Sequence, residues 1–123
     1  MIHYVQKLPP VSCIDLEGNP TGEQFSFAKA ASCAISAVMA SQGCDALSLI
    51  DVRRRILEAP ELSYVPVEDE PYNAIAAEFR RPRAMGPAYV LAAEAHIKAW
   101  VDAPTREPAH VAANGAASAD ATS

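Results

Sequence analysis

The chain has 123 residues, a net charge of −5 and an aromatic content of only 7%. That is one domain's worth of chain. It is acidic enough to be repelled by nucleic acid and by anionic membrane surfaces unless its basic residues cluster. Half of the residues are hydrophobic, but many are alanines, which cover helices well and fill cores poorly, so a short list of large side chains must form the centre. Cys13, Cys33 and Cys44 are odd in number and lack a CxxC pair, which argues against a disulfide framework and for small packed thiols in a reducing compartment.

Ile2 to Leu8 is short and β-leaning and stops at Pro9 and Pro10. The opening lacks the charged start and apolar run of a secretory signal. Val11 to Leu16 is a second β-leaning run, and Glu17-Gly18-Asn19-Pro20 is a strong turn signal, since Gly and Asn tolerate positive φ and Pro fixes it. Thr21 to Phe25 then returns as a hairpin partner. Ser26 is a candidate N-cap for a helix from Phe27 to Ser41, with Phe27, Ala31, Ala34, Ile35, Val38 and Met39 at helical spacing and Gly43 as terminator. The weakly polar stretch Phe27 to Ala40 contains Lys29 and is too short to cross a bilayer.

Asp45 caps a second helix, Ala46 to Ala59, whose expected apolar stripe is Leu49, Ile50, Ile56 and Leu57, widened by Leu47 and Val52. Pro60 ends it, and Glu61 to Val67 reads as a linker. Glu68-Asp69-Glu70-Pro71 is a helix start, because acids and proline both suit a first turn. The third helix runs to about Arg80 and stops before Pro82. A fourth helix opens at Pro87 and ends near Ala103.

These elements predict a mainly α fold: a small four-helix domain over residues 1–103, packed antiparallel, with a short N-terminal β-hairpin in the β-leaning segment 1–25 and a disordered or extended Ala/Ser/Pro-rich C-terminal tail over 104–123. The expected core is Ile35, Ile50, Leu57, Ile75, Phe79, Ile97 and Trp100.

No short-spaced chemistry emerges. His3, His96 and His110 stand alone, and HxxxH, HExxH and GxSxG are absent, so no metal, cofactor or catalytic residue is assigned. A Cys–His enzyme would have to assemble His96 with Cys33 or Cys44 and an acid through folding. The only basic concentrations are Arg53, Arg54 and Arg55, and Arg80, Arg81 and Arg83. If the ends of the second and third helices meet, the six arginines form one patch suited to carboxylates or phosphates; otherwise they are solvated helix ends. Glu68, Asp69 and Glu70 are the matching acidic group, explained by the helix start and available to a basic partner.

Asp15-Leu16-Glu17-Gly18-Asn19-Pro20, the small-residue helix Phe27 to Ala40, the helix segment Leu49 to Leu57, and Val67-Glu68-Asp69-Glu70 followed by a last helix after proline together form a layout. Over about residues 11 to 102 it resembles a loose group of small proteins of unknown role encoded by tailed bacteriophages. The resemblance implies a phage setting, in the host cytoplasm or in the virion, and carries no catalytic residue. The expectation is a non-enzymatic protein-binding phage protein, a virion component or assembly factor whose partners are phage structural proteins or itself, with nucleic acid disfavoured and no membrane. The alternative is an acidic inhibitor of a host or defence complex.

Overall fold

A computed structural model of the protein describes residues 1–108. The expected tail lies outside the described residues from 109 onward. The described chain runs β1 (Ile2–Gln6), β2 (Val11–Ile14), β3 (Pro20–Phe25), α1 (Phe27–Ser41), α2 (Ala46–Glu58), β4 (Tyr64–Glu68), α3 (Asp69–Arg80), α4 (Pro87–Ala92) and α5 (Glu94–Val101). The mainly α, four-helix expectation is therefore corrected to an α+β fold of five helices and four strands among the described residues.

Two expectations fail for identifiable reasons. The segment read as a linker is β4, antiparallel to β1 with His3 opposite Val67 and Val5 opposite Val65. Val65 and Val67 are buried while Pro66 and Glu68 face out, the period of two that defines a half-buried strand. Pro66 disguised it. It is harmless because Pro66 faces Tyr4 at a position whose backbone groups point away from the pairing. The Tyr4 N–H donates instead to the Pro104 carbonyl (2.8 Å), and the Pro66 carbonyl accepts from Arg55 Nη1 (2.8 Å). The expected fourth helix is two pieces, broken at Ala93, where φ −85° and ψ 2° leave the helical basin.

The other local signals act as their chemistry requires. The Asp15 carboxylate accepts from the Glu17 and Asn19 amides, both at 2.9 Å, and Gly18 takes φ +91°, closing the β2–β3 hairpin. Ser26 Oγ accepts from Lys29 N–H (3.0 Å) and Asp45 Oδ2 from Ser48 N–H (3.1 Å), capping α1 and α2. α1 ends in a Schellman turn: Gln42 N–H reaches the Met39 carbonyl and Gly43 N–H the Val38 carbonyl, with Gln42, one residue before the expected glycine, in the left-handed region at φ 57°.

Trp100 is fully buried at the centre. Its ring stacks on Tyr72 (centroids 5.7 Å, 9° between planes) and meets Phe79 edge-on (5.7 Å, 64°). Ile35, Ile75 and Phe79 are buried as expected, and Ile97 is half-buried against them. Ile50 and Leu57 are not core: they are 52% and 48% exposed. The inward stripe of α2 is Leu49, Val52 and Ile56. Ile50 and Leu57 each follow one of these by a single residue, which turns them about 100° around the helix.

Candidate functional site

Among the charged residues singled out by sequence, Arg55 and Glu68 pair with each other, and most of the rest that are held find other partners. On α2, Arg53 Nε donates to Ser32 Oγ on α1 (3.2 Å) and Arg54 pairs with Asp51 one turn earlier. Arg55 bonds Asp51, the Pro66 carbonyl and both oxygens of Glu68 (3.0 and 3.1 Å). That pairing holds Glu68 below the usual carboxylate range. Desolvation pushes Asp51 up, but hydrogen bonds from Arg55 and Arg54 outweigh it and leave Asp51 lowered. Asp69 accepts from His3 Nε2 (2.7 Å), which lowers it. Glu70 is exposed in the first turn of α3.

The six arginines do not form one patch. Arg55 sits by Glu68 at the start of α3, whereas Arg80, Arg81 and Arg83 lie at its other end, about 18 Å away for a twelve-residue helix. Arg80 and Arg81 are exposed and have no ion-pair partner among the described residues.

Arg83 is held in a built setting. Its backbone N–H donates to Glu78 Oε2 (2.6 Å) and its Nε to Oε1 (2.8 Å). The Glu78 side chain is 2% exposed and that of Arg83 59%, so a buried carboxylate anchors a guanidinium that still faces solvent. Nη2 adds longer contacts to the Ala37 carbonyl (3.5 Å) and Ser41 Oγ (3.4 Å) of α1. Arg83 stands between two open depressions. One, of about 470 Å³, runs between the C-terminal ends of α1 and α3 past Val38, Ala74, Ala77 and Arg81. The other, of about 390 Å³, lies over Ser36, Ala37, Ala40 and Ala84. Sequence gave no sign of Glu78, which reads as an ordinary surface glutamate; its only clue is a turn arginine just beyond Pro82.

A second feature is apolar. Leu47, Ile50 and Leu57 are exposed on α2 and fall on one side of it, at spacings of three and seven. Arg53 and Arg54 lie between Ile50 and Leu57 along the helix.

The histidines and cysteines do not converge. His3 is buried against Tyr72, its ring stacked at 3.7 Å with 3° between planes, so it ties β1 to α3. His96 is fully buried; one nitrogen, Nε2, donates to the Phe25 carbonyl (2.9 Å) and Nδ1 has no partner. Desolvation lowers its pKa from the ordinary 6.5. No cysteine reaches hydrogen-bond distance of His96. Cys13 is buried, Cys33 and Cys44 half-buried, and all three are free thiols. Desolvation, then the nearby Glu70, pushes the Cys44 thiol up, away from the reactive thiolate. His110 lies outside the described residues. Among the described residues no three His, Cys, Asp or Glu side chains group as metal ligands, and no helix is long and apolar enough to cross a membrane.

No family model, curated protein or solved structure matches this chain.

Proposed function

We propose that this protein works by binding another protein through the outer face of α2. The observation that carries the reading is the second apolar stripe of that helix: Leu47, Ile50 and Leu57 stay in solvent while Leu49, Val52 and Ile56 fill the core. Large aliphatic groups exposed on one helix face are what a partner surface covers. Arg53 and Arg54, set between Ile50 and Leu57, favour a partner whose apolar groups alternate with acids.

The setting we propose is a tailed bacteriophage, as virion component or assembly factor; the resemblance of the sequence layout supports it. The experiment combines two readings. Mass spectrometry of purified particles and assembly intermediates is expected to find the protein. A Leu47→Ser, Ile50→Ser, Leu57→Ser variant is expected to fold but to be missing from them. A folded triple variant that is incorporated like the parent removes the α2 reading, and absence of the parent from every particle and intermediate removes the setting.

A further inference from the structure

We infer that the groove around Arg83, between the C-terminal ends of α1 and α3, is a second docking site, for an acidic segment of a protein partner whose carboxylate side chain is flanked by small or aliphatic residues. This goes beyond the α2 reading and rests on different residues.

Glu78 engages the guanidinium from behind, through Nε and the backbone amide, and its own burial prevents it from following Arg83 into solvent. A flexible arginine loses rotamer freedom when it binds, and one already fixed by a buried carboxylate loses less. The end of the fork left open is Nη1. Nη1 has no hydrogen-bond partner among the described residues, whereas Nη2 lies 2.8 Å from Glu78 Oε1 and makes two longer contacts to α1. The open Nη1 offers a charge-assisted hydrogen bond to a carboxylate oxygen. Binding there leaves the Glu78 contact intact, so no buried charge is uncovered.

The surroundings specify the rest of the ligand. Ala37, Ala40, Ala74, Ala77, Ala84 and Val38 line the two depressions, a floor of short side chains that lets a neighbouring backbone approach closely. Arg81 lines the larger depression and adds a second positive charge, without an ion-pair partner among the described residues. Charge complementarity therefore selects an acidic group, and the apolar floor on both sides of Arg83 selects a chain that continues past it rather than a lone anion. The protein's overall charge of −5 works against long-range attraction of acids, which makes the local fork, not steering, the source of binding.

The test is selection of a displayed random-peptide library on the immobilised full chain, followed by titration of the enriched peptides into ¹⁵N-labelled protein. Enriched peptides are expected to carry Asp or Glu beside Ala, Val or Leu. Their footprint is expected on the ends of α1 and α3 and on the Arg83 Nε–H signal. Changing the peptide acid to its amide, or Arg83→Gln, is expected to weaken binding at least tenfold. Since an Arg83 variant frees a buried carboxylate and can unfold, Ala77→Tyr and Ala40→Tyr fill the groove from exposed positions; both are expected to fold and to abolish binding. Acetate and phosphate titrations form the remaining arm, with no saturable shift of Arg83 expected. The inference is overturned by acid-free enriched peptides, by acetate or phosphate binding as tightly as the peptides, by a footprint elsewhere, or by no enrichment over an unfolded control. A footprint on Leu47, Ile50 and Leu57 sinks it while leaving the α2 reading standing.

Discussion

Tyr72 and Trp100 hydrogen-bond each other in both directions. Tyr72 Oη donates to the Trp100 carbonyl (2.9 Å), and Trp100 Nε1 donates back to the Tyr72 carbonyl (3.1 Å). The hydroxyl also lies 3.1 Å from the Val101 carbonyl. The last carbonyls of α5 are thus satisfied by a side chain of α3, and a carbonyl of α3 by a side chain of α5, inside the aromatic cluster that forms the core.

Trp100→Ala is expected to cost about 3–5 kcal/mol, most of a small domain's stability. Trp100→Phe keeps much of the volume but loses the indole N–H bond to the Tyr72 carbonyl, at about 0.5–1.5 kcal/mol. Urea unfolding of both, with Tyr72→Phe and the Tyr72→Phe, Trp100→Phe double variant, measures the coupling. Strict additivity would show that the two bonds act independently.

Acid should weaken the fold in two steps. His96 titrates lower in the folded protein than in the unfolded chain because burial disfavours its charged form. The unfolded state therefore binds more protons below the ordinary value of 6.5, and stability is full above that pH and declines as pH falls from it towards the lowered folded value. Asp69, lowered first by its bond to His3, contributes above the ordinary 3.8 and is lost as pH falls through its folded value. Melting temperature followed from pH 8 to pH 3 should show both windows, and His96→Phe should flatten the upper one. An unchanged upper slope in that variant refutes the assignment.

Gln42 carries a Cβ at φ 57°, where an L-residue is strained. Gln42→Gly should raise stability by about 0.5–1 kcal/mol, because the Schellman turn no longer forces a side chain into that basin. Thermal unfolding measures it. A lower melting temperature would mean that the glutamine side chain stabilises the turn by more than the strain costs.

The two stripes of α2 can be told apart by stability alone. Ile56→Ala should cost about 2–5 kcal/mol, whereas Leu57→Ser, one residue on, should stay within about 0.5 kcal/mol of the parent. Equal losses would place Leu57 inside and remove the basis for the α2 surface.

Helix ends were readable because their chemistry is local: Ser26, Asp45, Pro60 and Pro87 each act within a turn of where they stand. The β1–β4 pairing was not, since its halves lie some sixty residues apart and Pro66 hides the alternation of β4. α2 offered two stripes that satisfy helical spacing equally well, and only the neighbours decide which is covered. The arginines of the candidate groove were visible as charge. What makes Arg83 different from Arg80 is Glu78, and its burial depends on the packing of α1 against α3, which no local pattern records.

The bond from Tyr4 to Pro104 seals the open flank of β1. It sets the middle of β1 beside the turn that follows α5. A chain cut back before Pro104 would bare the Tyr4 N–H and leave that edge of β1 open to pairing.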